Sequence, residues 1–332
     1  MTRSLIITSI NPPTDTVVKT RKLRPDWRIC VVGDRKSPAE WFHEGVDFLS
    51  LDAQLELPFE LARKLPVGHY SRKNLGYLVA MQQGAEVIAE TDDDNFPYET
   101  FLGDISPRLT ARPIEERGWV NVYRAYTDAR VWPRGFPLEE VRASMAQAPR
   151  LGEAREAECH VQQFLADGDP DVDAVYRLVL EGEVLFQRDL DVVLPPEAHC
   201  PFNSQNTVWF PAAYPLLYLP STVSFRMTDI WRSFVTARCL AAAGMSLAFR
   251  GPTVYQDRNE HNLIRDFEAE IDGYLRNTDI VDQLSAVNLD GLDMGAALRR
   301  CYVELLGMGL VADEELVLVD LWLDAVRELS GV

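Results

Sequence analysis

Residues 71–95, SRKNLGYLVAMQQGAEVIAETDDDN, carry the pattern that decides the fold. Over 71–84, Leu75, Leu78, Val79 and Gln82 recur at helical spacing, with Ser71 placed as N-cap and Gly84 as the closing residue. Residues 87–89 then read as a short strand running into Glu90, Thr91 and the carboxylates Asp92, Asp93 and Asp94. Three more strand patterns precede this unit. Residues 5–10 are an apolar run closed by Asn11-Pro12-Pro13, residues 27–33 (WRICVVG) end at Gly33-Asp34, and residues 46–51 form a shorter third. Strands alternating with helices predict an α/β fold, Rossmann-like, with a mostly parallel sheet and crossover helices.

The remainder is less regular. Residues 106–150 are rich in Pro and Arg, 167–173 (DGDPDVD) read as a turn, and 199–226 mix aromatics with prolines. That last stretch is too apolar for a free linker, so it is expected beside the sheet, shaping a pocket. Residues 229–243 return to a helical pattern, and the last sixty residues read as a helical extension. The chain of 332 residues is 47% hydrophobic and 25% charged, enough apolar material for a large core. Lys+Arg number 33 and Asp+Glu 51, a formal charge of −18, which repels phosphate backbones and anionic membranes and excludes a nucleic-acid-binding reading. No segment reaches the ~18–20 apolar residues of a membrane span. Five scattered cysteines without a CxxC point to reduced thiols, and the expected location is cytoplasmic.

Asp92, Asp93 and Asp94 form the strongest local signal. In open parallel sheets ligands bind beyond the carboxyl ends of strands. Adjacent carboxylates repel one another, and a hard divalent cation relieves the repulsion while keeping positions for phosphate oxygens. A solvated acidic loop is the alternative. Arg72, Lys73 and Asn74 open the preceding helix, where a cation opposes the helix dipole unless an anion sits nearby. Asp229 opens a later helix as a cap or as a functional acid, and Asp34 follows a strand as a turn residue or a ribose contact. His261 lies in a polar run as a metal ligand or a hydrogen-bonded structural residue. Walker-A, GxGxxG and GxSxG motifs are absent, which removes P-loop, nicotinamide-dehydrogenase and serine-hydrolase readings.

Six ordered blocks, at 72–95, 132–141 (WPRGFPLEEV), 168–178 (GDPDVDAVYRL), 201–210 (PFNSQNTVWF), 228–234 (TDIWRSF) and 253–267 (TVYQDRNEHNLIRDF), resemble the STELLO-type glycosyltransferase family. More distantly they resemble the reversibly glycosylated polypeptides, which are UDP-arabinopyranose mutases. The resemblance implies a GT-A fold, the nucleotide-diphospho-sugar transferase architecture, over 1–275, with a helical C-terminal extension over 276–332. It implies a metal-assisted reaction of a nucleotide-sugar donor, a UDP-sugar, with a glycan or other hydroxyl acceptor. Asp92 and Asp94 would hold Mn²⁺ or Mg²⁺, with His261 completing the metal site. Thr8, Asn11 and Asp34, at strand ends, would meet the nucleoside; Arg72, Lys73, Asn74, Asp92 and Asp93 would face the donor.

Asp229 would act as general base for the acceptor or orient it. Asn203, Ser204, Gln205 and Asn206, with Trp209 and Trp231 as stacking faces, suit sugar hydroxyls. In the mutase relatives the arginine matching Arg134 is tied to self-glycosylation, but their second arginine, seven positions on, is Val141 here, a departure that argues against mutase activity. A mutase and a catalytically idle scaffold in polysaccharide synthesis remain the alternative readings. Leu316, Val319, Leu321 and Leu323 in the extension fit core packing or a homodimer.

Overall fold

A computed structural model describes residues 2–180, 182–258 and 262–330. In chain order the strands are β1 (Arg3–Thr8), β2 (Arg28–Val32), β3 (Val46–Leu49), β4 (Val87–Asp92), β5 (Asn95–Pro97), β6 (Arg108–Pro113), β7 (Gly118–Trp119), β8 (Arg155–Gly168), β9 (Asp191–Leu194), β10 (Ala198–His199), β11 (Asn206–Trp209) and β12 (Ser246–Gln256). The α-helices are α1 (Asp15–Leu23), α2 (Leu51–Leu55), α3 (Leu61–Lys64), α4 (Lys73–Gln82), α5 (Tyr123–Tyr126), α6 (Leu138–Ser144), α7 (Ala174–Val179), α8 (Thr228–Ala242), α9 (Leu263–Ala286), α10 (Met294–Gly307) and α11 (Asp313–Ser330).

The expected parallel unit is one half of the sheet, in the order β3-β2-β1-β4. Leu5, Ile6 and Ile7 of β1 are fully buried, as a strand covered on both faces requires. Beyond β4 the sheet is mixed: β11 runs antiparallel between β4 and β8, and β8 pairs parallel with β12. The α/β architecture and the helical C-terminal region are as expected, but the sheet is mixed rather than mostly parallel, because β11 runs antiparallel to β4 and β8, and β5 and β9 run antiparallel to β12. Strand β4 runs three residues past the apolar run, so Glu90 and Asp92 belong to the strand itself.

The helix in 71–84 starts differently from its expected cap. A 3₁₀ turn at Tyr70–Arg72 precedes α4, and the His69 ring, not Ser71, accepts the hydrogen bond from the Ser71 amide. Gly84 closes the helix with φ +74°, a conformation that disfavours a side chain. The aromatic–proline stretch packs against the sheet as expected, with Leu216, Leu217, Tyr218 and Leu219 all inaccessible.

The C-terminal helices share the main hydrophobic core. Val319, Trp322 and Leu323 are buried in it, and Leu316 and Leu321 pack against it, so these residues serve core packing. Helix α9 runs without a break through residue 275. Glu315, fully buried on α11, accepts hydrogen bonds from the Tyr218 hydroxyl, the Ser221 and Thr222 amides and the Thr222 hydroxyl. Trp322 donates to the Pro215 carbonyl at 2.8 Å. Replacing Glu315 by Ala strands these buried donors, so Glu315→Ala is expected to lower unfolding free energy by about 2–4 kcal/mol in urea titrations. A loss within experimental error would mean that Glu315 does not anchor α11.

Candidate active site

The carboxyl ends of β1, β2 and β4 open into a cleft of about 760 Å³. Thr8 ends β1 and Ser9 and Asn11 follow it, Gly33 and Asp34 follow β2, and Asp92 ends β4 with Asp93 and Asp94 after it; all line the cleft. Every one of the six sequence blocks supplies lining residues: Arg72 with Asp92, then Arg134, Asp171, Ser204 with Gln205, Asp229, and Gln256 with Arg258.

At one end, Asp34 builds the wall. Its carboxylate accepts from the Gly68 amide at 2.8 Å and the His69 amide at 3.0 Å, pinning the loop before α4. Asp93 accepts from Ser9 Oγ and from Asn11 Nδ2 at 3.0 Å, and its carbonyl accepts from Thr14 Oγ1. Asp93 thus ties the acidic turn to the β1–α1 loop. Asp92 accepts from the Tyr70 hydroxyl at 3.2 Å, with Lys73 Nζ 3.9 Å away. Burial pushes Asp92 up to about 7; Lys73 opposes the rise, while Asp94, Asp229 and Asp93 add to it. Gln256 Nε2 lies 3.4 Å from both oxygens of Asp94.

Arg72 borders the cleft, but the cations at the start of α4 are engaged within the protein. Arg72 is 1% exposed, and its guanidinium is spent on Gln54 Oε1 and the Leu65 and Ala62 carbonyls. Lys73 lies beneath Asp92, where Nζ donates to the Tyr70 hydroxyl and to the Thr91 and Ser204 carbonyls. Asn74 points away and exchanges two 2.9 Å hydrogen bonds with the Leu219 backbone. Carbonyl and carboxylate partners within the protein neutralise the cations at this helix start.

The other end holds a buried charge network that the sequence did not assemble. Arg134 donates from Nε to Asp171 Oδ1 at 2.8 Å and from Nη2 to both oxygens of Asp229 at 3.0 Å, and Nη1 donates to the Arg226 carbonyl. Asp229 also accepts from the amide and hydroxyl of Ser204, both at 3.1 Å. Burial alone would raise Asp171, but Arg134, then Arg226 and Arg258, hold it well below the usual carboxylate range. Phe225, 58% exposed, stands at the rim edge-on to Tyr70 and His69.

Of the polar run 203–206, only Ser204 and Gln205 reach the cleft. Asn203 and Asn206 are spent inside the protein, where Asn206 bonds Thr253 Oγ1 and the Leu165 carbonyl. The two tryptophans are not stacking faces. Trp209 is fully buried and donates to Glu90, and Trp231 donates to Asn277. His261 lies outside the described residues. Among the described residues no three His, Cys, Asp or Glu side chains converge as a metal cage. Asp92 and Asp94, two hard-oxygen donors facing an open cleft, suit a cation that keeps several positions for other ligands rather than a closed structural site.

The fold and this site define an α/β protein with carboxylates at the carboxyl ends of its parallel strands. Residues 226–331 match the profile of the family described as STELLO glycosyltransferases. Probable glycosyltransferase STELLO2 of Arabidopsis thaliana is 31% identical over 279 residues, covering 77% of this chain and 36% of that protein. Probable glycosyltransferase STELLO1 of the same plant is 32% identical over 283 residues, covering 78% and 36%. The six-block resemblance therefore holds, and over most of its length the chain is related to the STELLO-type glycosyltransferases. It spans about a third of the length of those relatives. Two solved structures align more loosely. One, a mycobacterial protein, gives a TM-score of 0.40 at 11% identity over 91% of this chain and 75% of that one. The other, M. tuberculosis glucosyl-3-phosphoglycerate synthase, gives 0.38 at 11% over 91% and 81%.

Removing Arg134 leaves two buried carboxylates without their cation, so Arg134→Met is expected to cost about 3–5 kcal/mol at pH 7. Asp171, held down in the folded state, contributes stability that is complete above its ordinary pKa and drains as pH falls below it. The difference between wild type and Arg134→Met in urea unfolding is therefore expected to shrink between pH 7 and pH 3. A pH-independent difference would contradict the pairing.

Proposed function

We propose that the cleft binds a nucleotide-sugar donor, a UDP-sugar, and transfers its sugar to a hydroxyl acceptor. The observation that carries the reading is the convergence of all six blocks on one cleft at the carboxyl ends of parallel strands. The names of the STELLO relatives support the reaction class. Asp92 and Asp94 would hold Mn²⁺ or Mg²⁺, with His261 as a further ligand; such an ion supplies positive charge to a departing diphosphate.

The protein's own groups then divide the work. Thr8, Asn11 and Asp34 border the nucleoside end. Tyr70 and Lys73 fix the Asp92 carboxylate from beneath. In the transfer the acceptor oxygen would bond the anomeric carbon, the bond from that carbon to the diphosphate oxygen would break with its electron pair going to the diphosphate, and the acceptor proton would pass to a diphosphate oxygen or to water. Asp229, bound on both oxygens by Arg134 and on one by Ser204, suits orientation of substrate better than proton abstraction, because its lone pairs are engaged. Arg134 is likewise engaged on all three guanidinium nitrogens, which disfavours a glycosylated-arginine mutase.

The test is thermal melting with UDP, with and without Mn²⁺. A ligand at about a hundred times its Kd adds roughly 2.7 kcal/mol to a folded state that alone binds it. UDP is expected to raise the melting temperature only when Mn²⁺ is present, and Asp94→Ala is expected to abolish that dependence without unfolding the protein. Absence of any UDP effect would favour the idle-scaffold reading. A changed ring form of a UDP-sugar without UDP release would favour the mutase.

A further inference from the structure

Of the buried arginines that line the cleft, Arg258 is the one whose charge the protein leaves under-compensated. Its side chain is 10% exposed. Among the described residues it makes two ion pairs at the limit of contact and no hydrogen bond. Those contacts are Asp169, 3.5 Å from Nε, and Asp171, 3.7 Å from Nη2. Both carboxylates are already hydrogen-bonded by other arginines, Asp169 by Arg177 and Asp171 by Arg134. Nε of Arg258 is fully buried and donates to nothing. Burial and the neighbouring Arg177 lower the Arg258 guanidinium, with Arg226 adding to the fall, by more than Asp171 and Asp169 raise it. Arg134 is the contrast: burial would lower it too, but Asp171 and Asp229 hold it well above its usual value. A buried guanidinium short of acceptors is costly until an oxyanion reaches it, and its planar fork of donors matches phosphate oxygens.

A second guanidinium stands with it. Arg226, 8% exposed, also lines the cleft, and it bears on Asp171 as Arg258 does. Its Nε and Nη2 both lie on one oxygen of Glu270, at 2.8 and 2.7 Å, and no described group takes up Nη1. Two cations side by side match a doubly charged phosphate better than a single carboxylate. The chain of contacts places this pair away from the acidic turn. The Tyr70 hydroxyl joins Asp92 to Ser204, Ser204 bonds Asp229, Asp229 bonds Arg134, and Arg134 bonds Asp171, which Arg258 faces. The two guanidinia thus lie beyond Asp229 from Asp92, on the side left to the acceptor when a donor diphosphate occupies Asp92 and Asp94. Among the described residues the cleft is lined by six Arg or Lys side chains and six Asp. That balance, in a chain of 33 Lys+Arg against 51 Asp+Glu, admits an anion that the rest of the surface repels.

We propose that Arg258 and Arg226 seat a phosphate group carried by the acceptor, so that the acceptor class is a phosphorylated hydroxyl compound. Assigning the phosphate to the acceptor rests on the transferase reading of the cleft; the phosphate seat itself does not. The probe is inorganic phosphate, titrated by ³¹P NMR into the protein with and without saturating UDP and Mg²⁺. Phosphate is expected to bind the wild type alongside UDP. Arg258→Gln is expected to weaken phosphate about tenfold or more while keeping UDP affinity within about twofold. Arg258→Lys, which keeps the charge without the fork, is expected to fall between the two and covers the case of a Gln variant that fails to fold by circular dichroism. A wild type that binds no phosphate, or a phosphate affinity indifferent to both variants, would overturn the proposal. So would phosphate that competes with UDP, or an equal loss of UDP affinity in Arg258→Gln, since either gives the seat to the donor diphosphate. Phosphate binding that depends on Arg258 in a protein that takes up no UDP would uphold the seat and remove the donor reading instead.

Discussion

Glu90 is the point on which the site's geometry hangs. It is a fully buried carboxylate on the central strand β4, and it receives the Tyr77 hydroxyl, the Trp209 indole nitrogen and the Arg232 guanidinium. Lys73 Nζ stands 3.9 Å away. One side chain thus fastens α4, β11 and α8 to the strand whose last residue is Asp92. A buried ion pair of this kind adds little net stability over an apolar substitute, because desolvation offsets the attraction. Its value is directional: Arg232 and Lys73 fit one arrangement of the four elements. Lys73, lying between Glu90 and Asp92, carries that order two residues further, to the edge of the cleft.

The parallel half of the sheet was legible because its strands are apolar runs punctuated by turn residues, and the acidic turn because three adjacent carboxylates are conspicuous. The mixed half was not. Strand β8 spans Arg155–Gly168 and changes partners along its length, meeting β6 early and β11 and β12 later, so no single alternation marks it. Strand β4 was underread by three residues because Glu90 is tolerable in a buried strand only with partners that lie far off in sequence. Asn74, Asn203 and Asn206 look available to a ligand in the sequence for the same reason, yet their side chains are engaged inside the protein. A polar side chain that satisfies a distant carbonyl looks, in one dimension, like one that awaits a substrate. The Arg134–Asp171–Asp229 network had a signal, since each member sits in a separate block of the resemblance, but only the folded chain brings the three together.

The family profile covers 226–331, which begins at the base of α8 and takes in α9, α10 and α11. That region supplies Asp229 and Arg258 to the cleft, while much of the rest is buttress. Trp322, Tyr302 and Glu315 grip the aromatic–proline stretch, which leads into the Ser224–Met227 turn and the start of α8. The C-terminal helices therefore bear on the cleft through packing.

The lock on Asp93 couples the β1–α1 loop to the acidic turn. Ser9, Asn11 and Thr14, on the loop that follows β1, are the same residues that hold the acidic turn. A displacement of Asn11 is felt at once at the carboxylate that lies between Asp92 and Asp94. Loop and turn then act as a single lever, so loosening either one loosens the other.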